Sequence, residues 1–217
     1  MQITFVSDRT QETIKNLLAL DNLPKTDLYL FGSSKTVSVD YAEELSGKTR
    51  LFEDIALLSK KQACVVAFLA TTSTKGHLRK SVIMAEKGKL IGVSDMTRSL
   101  EKNISAGAYL QNYATGQGKI GVIVGEDLYF PNRAQALADC GADYLLCLTD
   151  KTDTSHTVIA QAYAKCFSLP VIYCADGKSG LANEKGELVF SSPSSPVAFS
   201  VQPRKEYKLA QMRIRRR

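Results

Sequence analysis

Helical and extended periodicities alternate along this chain, but hairpin signals interrupt the alternation, and that interruption narrows the folds open to it. Apolar residues at 14, 17, 18 and 20 give Thr10–Leu20 a helical stripe after a Ser7/Asp8 cap. Pro131 in a first turn and Gly141 as a stop mark a helix over Pro131–Cys140, and Ser155–Phe167 reads as another. Asp40–Ser59 has helical spacing too, with Leu51, Ile55 and Leu58 on one face. Strands are expected at Gln2–Ser7, Asp27–Phe31, Asp143–Leu148 and Pro170–Ala175. Ala63–Ala70, eight apolar residues in a row, reads as a strand covered on both faces. The hairpins intervene at Leu78–Ala85 with Lys89–Val93, and at Tyr109–Tyr113 with Lys119–Val124. Gly180–Asn183 and Glu187–Ser191 flank a further turn; Pro196–Val201 and Tyr207–Arg213 read as extended, and residues 94–112 carry no clear period. Such a chain is α/β, but not a doubly wound parallel sheet: it calls for packed sheets with helices outside and paired strands within the order. No internal repeat, low-complexity stretch or long linker divides it, so one domain over residues 1–217 is expected.

Composition sets the class. Hydrophobic residues at 44% and charged residues at 23% are those of a globular protein, and exclude disordered and coiled-coil readings. The longest apolar run falls well short of the roughly 20 residues of a membrane helix, so no membrane association is expected. The first ten residues lack the basic start and apolar stretch of a signal peptide. The five cysteines, 64, 140, 147, 166 and 174, form no C-x-x-C pair and read as free thiols of a reducing, cytoplasmic setting. Only His77 and His156 could join them as metal ligands, and they lie far apart in sequence; no metal site is expected.

The net charge of +6 is a property of one segment. Residues 204–217 hold seven of the 28 basic residues against Glu206 alone, which leaves residues 1–203 balanced. A basic tail can contact nucleic acid; the simpler reading, a solvated terminus, is preferred, because the aromatic patterns of an RNA-binding sheet are missing. Gly116–Gly121 matches G-x-G-x-x-G, but its glycines precede a strand instead of linking a strand to a helix. Dinucleotide binding needs the second arrangement, so no cofactor is expected.

Gly118–Leu148 is the informative stretch: strand, sharp turn at Gly125-Glu126-Asp127, helix, strand. At such an elbow a nucleophile projects towards a helix N-terminus, whose positive end stabilises a thiolate or oxyanion. Lys119-Ile120-Gly121, Asp127, Phe130-Pro131 and Gly141-Ala142-Asp143 recur at the spacing of one known segment. In these residues the chain resembles the carbon–nitrogen hydrolase, or nitrilase, superfamily around its nucleophile. Lys80–Gly92 and Pro170–Ser191 extend the resemblance more weakly over most of the chain. It implies an α-β-β-α sandwich, two packed sheets with helices outside, and a homodimer formed through outer helices. The apolar second face offered by Ala134, Ala136, Leu137 and Ala138 fits that assembly.

The same resemblance implies a glutamate base, a lysine and a cysteine nucleophile that attacks an amide or nitrile carbon. Carried over by position, these fall at Ser33, at Met96 (or Thr97 with a one-residue slip) and at Gly125, so none is intact. The resemblance therefore implies a family member without the usual activity, a pseudoenzyme with a binding or scaffolding role and room for a small-molecule ligand. The alternative is an amide or nitrile hydrolase with rebuilt chemistry. Its substitutes would be Glu126, Asp127 and Cys174. Each also has an ordinary structural reading: a favourable charge at a helix start, a turn cap, and a buried thiol. Arg98 is the cation nearest in sequence to the missing lysine, read as a salt-bridge partner or a solvated side chain.

Overall fold

The computed structural model describes residues 1–33 and 37–201. The extended segment expected at Tyr207–Arg213, like the basic tail, lies outside these. The chain builds two sheets. The first takes β1 (Gln2–Val6), β2 (Leu28–Phe31), β3 (Ser38–Asp40), β4 (Val65–Thr74), β5 (His77–Glu86), β6 (Lys89–Asp95) and β13 (Val197–Ser200) in the order β13-β1-β2-β4-β5-β6, with β3 beside the far half of β4. The second takes β7 (Asn112–Thr115), β8 (Gly118–Val124), β9 (Tyr144–Leu148), β10 (Val171–Ala175), β11 (Lys178–Ala182) and β12 (Leu188–Ser192), ordered β12-β11-β10-β9-β8-β7. Three parallel strands form the centre of each, β1-β2-β4 and β8-β9-β10, and antiparallel strands flank them.

Period-two alternation then makes the layers. In β4, Val65, Ala67 and Leu69 face inward, where they meet Val122, Val124, Leu146 and Leu148 of the other sheet. Val66, Phe68 and Ala70 face outward, against Ile14 of α1 (Thr10–Ala19) and Ile55 and Leu58 of α3 (Leu51–Gln62). In β9, Leu145 and Cys147 face outward, against Ala134 and Leu137 of α4 (Pro131–Asp139) and Ala160, Tyr163 and Ala164 of α5 (Ser155–Phe167). Strands covered on both sides must be apolar at every position, which is why they read as unbroken runs. The result is the expected sandwich of two sheets with helices outside.

Four sequence expectations change. The helix expected over Asp40–Ser59 is two helices, α2 (Tyr41–Leu45) and α3, broken at Gly47 with φ 75°. β4 runs on to Thr74 and pairs with β5 along its whole length, a hairpin hidden in the polar second half of the strand. Ala134 and Leu137, taken as part of a second face on α4, are buried against the chain's own sheet. And although the sequence carries no repeat, the topology does: β1-α1-β2-α3-β4-β5-β6 and β8-α4-β9-α5-β10-β11-β12 follow one path in the two sheets. Packing constrains which positions are apolar and leaves the residues filling them free to differ, so topology is repeated where sequence is not.

Candidate functional site at the strand ends

The C-terminal ends of the parallel strands lie on one side of the sandwich, and most of the residues singled out above gather there. Gly32 follows β2 and presses against β10. A Cβ at Gly32 would lie 2.4 Å from the Cys174 carbonyl oxygen and 2.7 Å from its Sγ, so only glycine fits. The Cys174 thiol is fully buried and points to the carbonyl oxygens of Val6 and Leu30, at 3.6 and 3.7 Å. Burial pushes it up to about 12, which keeps it protonated at neutral pH. Ser33 is buried as well, and its carbonyl oxygen accepts from the Thr10 hydroxyl at 2.7 Å.

On the other sheet β8 ends at Val124 and the chain turns at Gly125, with φ 52°, into a 3₁₀ turn over Gly125–Tyr129. That left-handed conformation suits glycine and strains other residues. A Cβ at Gly125 would lie 3.0 Å from Met96 Sδ and 3.8 Å from Lys80 Cδ. The Glu126 N–H points at the same sulfur, 3.4 Å away. Met96 is fully buried, its N–H donating to the Lys80 carbonyl at 2.8 Å and its own carbonyl accepting from Gly107 at 2.7 Å. A thioether thus lies on the elbow, and Thr97 is tied to Asp127 of the same turn.

Asp127 was expected to cap its own turn. Its Oδ2 instead accepts from Thr97 N–H at 2.7 Å, and its Oδ1 from the Thr97 hydroxyl and Arg98 N–H, each at 2.9 Å. It ties the segment after β6 to the elbow. Burial pushes its pKa up, above the usual carboxylate range, despite these donors. Glu126, read as a favourable charge at a helix start, is buried too. One oxygen accepts from Leu100 N–H at 2.7 Å and the other from Lys151 Nζ at 2.6 Å. Arg98, read as a salt-bridge partner or a solvated side chain, is exposed and pairs with no carboxylate among the described residues; its guanidinium lies 4.8 Å from the Phe130 ring centre, a cation–π contact.

Two cations that sequence reading missed stand by the elbow. Lys80, on β5, is buried, and its ammonium meets Glu101 at 2.8 Å and Asp150 at 2.9 Å. Lys151 then joins Glu101, at 2.7 Å, to Glu126. The signs alternate along Asp150, Lys80, Glu101, Lys151 and Glu126. Burial pulls Lys80 down, but its bonds to Glu101 and Asp150 outweigh this and leave it raised. Glu101 is held low by Lys151 first and Lys80 second, and Lys151 is raised by Glu101 and Glu126. A signal was available: Lys80 has the parity of Val82 and Met84, the inward face of β5. Nothing local, however, marked that face as inward.

Behind the elbow, the Tyr129 hydroxyl donates to Asp153 at 3.1 Å and meets His156 Nε2 at 3.0 Å. Asp153 serves the start of α5 by accepting from Ser155 N–H at 2.8 Å, while Thr154, the residue before the helix, makes no side-chain cap. His77 opens β5 in an exposed position. Among the described residues no group of His, Cys, Asp and Glu is arranged to hold a metal ion, and no helix is long and apolar enough to cross a membrane.

A sequence model of the carbon–nitrogen hydrolase family matches residues 24–195, from just before β2 to just before β13. The chain belongs to the carbon–nitrogen hydrolase family. Solved structures share its fold at low identity. Saccharomyces cerevisiae Nit3, a member of branch 10 of the nitrilase superfamily, superposes with a TM-score of 0.73 at 16% identity, over 91% of this chain and 88% of its own. A mutant amidase from Nesterenkonia AN1 gives 0.73 at 12% over the same shares. A carbon–nitrogen hydrolase from Helicobacter pylori G27 gives 0.70 at 18%, over 91% and 86%. No curated protein sequence matches the chain.

Proposed function

We propose that this carbon–nitrogen hydrolase family member does not run the family's hydrolysis and acts through binding or scaffolding, with a small molecule or protein as ligand. One observation carries the reading: the Met96 thioether lies against Gly125, where the resemblance requires a lysine beside a cysteine. A thioether supplies neither proton nor positive charge, and glycine supplies no nucleophile. Losing the nucleophile of such a coupled set typically costs about 10⁶ in rate, roughly 8 kcal/mol of barrier lowering.

The substitutes weighed for a rebuilt hydrolase are engaged elsewhere. Both oxygens of Glu126 and both of Asp127 accept hydrogen bonds, and Cys174 is a buried neutral thiol. Lys80 has taken up a position by the elbow, but its ammonium is spent on two carboxylates. The three apolar layers support one domain, and five free cysteines support a reducing, cytoplasmic setting.

The test is an assay of small amides, nitriles and activated esters. Wild type is expected at background, and so is Gly125→Cys, which lacks a base and a cation and must fit its Cβ against Met96. Ser33→Glu, Met96→Lys and Gly125→Cys combined should give slow turnover of activated esters. Amide hydrolysis by wild type at enzymatic rates, surviving Cys174→Ser, would overturn the proposal and make Glu126 and Asp127 the next residues to change.

A further inference from the structure

At the end of the sandwich opposite the elbow the two sheets part around a cleft of about 1190 Å³. It lies at the N-terminal ends of the central strands. Asp27 precedes β2, Asp143 precedes β9 and Pro170 precedes β10, and all three line it. Ile172 and Leu181 from one sheet and Phe199 from the other give it apolar walls. Its charged side chains are Asp27, Asp143 and Glu184, and no lysine or arginine stands among its described lining residues. Two of the carboxylates are held in place by the backbone: Asp27 accepts from Gln2 N–H and Asp143 from Lys119 N–H, each at 2.7 Å. The one positive group is the Met1 amine, which donates to the Val201 carbonyl at 2.9 Å.

Val201 is itself part of the cleft wall, and residues 202–217 follow it directly. That segment carries the whole of the net charge, with seven basic residues against one acid, interspersed with Tyr207, Leu209, Met212 and Ile214. An apolar cleft rimmed by three carboxylates therefore opens where a basic, partly apolar segment leaves the sheet. We propose that this cleft is the docking site of the chain's own basic segment, residues 204–217. Attraction between the acidic rim and the bases selects the occupant, and the apolar walls take its aliphatic and aromatic side chains. Reach is sufficient: at roughly 3.3–3.6 Å per residue, Lys205 and Lys208 come within about 14 and 25 Å of Val201. The proposal is independent of whether the elbow is catalytically active.

The experiment is zero-length carbodiimide crosslinking of the full chain, which couples lysine amines to carboxylates in direct contact, read by mass spectrometry. An equal mixture of ¹⁵N-labelled and unlabelled protein separates links within a chain from links between chains. The expected products join Lys205 or Lys208 to Asp27, Asp143 or Glu184 within one chain. Their yield should fall severalfold between low salt and 1 M salt, where the screening length shrinks to about 3 Å. In Asp143→Asn with Glu184→Gln these links should drop by at least about threefold, while links elsewhere in the molecule persist. Tail lysines that couple only to other carboxylates, or only across differently labelled chains, would overturn the proposal.

Discussion

A buried lysine between two carboxylates is a local commitment that a single substitution exposes. Removing one partner of a buried ion pair leaves the other uncompensated and typically costs about 3–5 kcal/mol. Asp150 and Glu101 keep 21% and 37% of their side-chain exposure, and Glu101 keeps Lys151, so the lower end applies to Lys80→Met. Chemical denaturation should show a loss of about 3 kcal/mol, and hydrogen exchange should quicken in residues 97–107, which Glu101 helps hold to the elbow. His156 gives a pH signature. Its ring is buried, its Nδ1 has no partner, and burial lowers its affinity for a proton. The unfolded chain therefore binds a proton at His156 more readily than the folded one does. This costs nothing above the ordinary histidine range, near 6.5, and destabilises progressively as pH falls from there through the folded value. Stability measured between pH 7 and pH 5 should decline by at most about 1.4 kcal/mol per unit from this group. His156→Gln should flatten that part of the profile, and an unchanged slope would remove His156 as its source.

At the scale of elements, the break between α2 and α3 shows how a local interaction overrides a continuous pattern. Leu51, Ile55 and Leu58 belong to one helix, as the spacing predicted, but the residues before them do not continue it. Glu44, in α2, reaches across the turn, its carboxylate accepting from Leu51 N–H at 2.8 Å and Phe52 N–H at 3.2 Å. It satisfies two of the open donors at the start of α3, a capping role exercised seven and eight residues away. Arg50, the residue before the helix, makes no side-chain cap of its own. Glu44→Ala should destabilise by about 1 kcal/mol, the usual cost of a lost cap, while Glu43→Ala, whose contact with Lys48 is exposed, should cost far less. Equal effects in thermal melts would contradict the assignment.

For the molecule as a whole, the proposed assembly is a homodimer through the outer helices. The support differs from that first expected. Of the four α4 residues named, Ala134 and Leu137 are committed to the core. Apolar side chains do stand free on other outer helices: Leu57 on α3 is 46% exposed and Val158 on α5 is 65% exposed. An interface above about 1,000 Å² is the size that stable association requires. Light scattering at micromolar concentration should therefore give twice the 23.8 kDa chain mass, and Val158→Glu should shift it towards the monomer. A 24 kDa species in wild type would refute the dimer.

What the sequence determined alone was whatever depends on near neighbours. Period-two and helical spacing placed β1, β2, β9, β10, α1, α4 and α5 close to their observed bounds, because each is decided by residues within one or two turns. The family was legible in the fixed spacing around Gly125, since an elbow must meet its helix within a few residues. Tertiary structure alone decided which side of a strand is inward and which distant charges meet. Lys80, Glu101, Asp150, Lys151 and Glu126 come from a strand, two loops and a turn, and no pair among them except Asp150 and Lys151 is adjacent in the chain. A buried lysine is tolerable only where opposite charges converge on it, and convergence is set by sheet packing. For the same reason the sequence could show Met96 and Gly125 as departures from a pattern, but not that the sulfur of one lies against the point where a side chain on the other would begin. That contact forms only because β6 and β8, in different sheets, deliver their ends to the same side of the core.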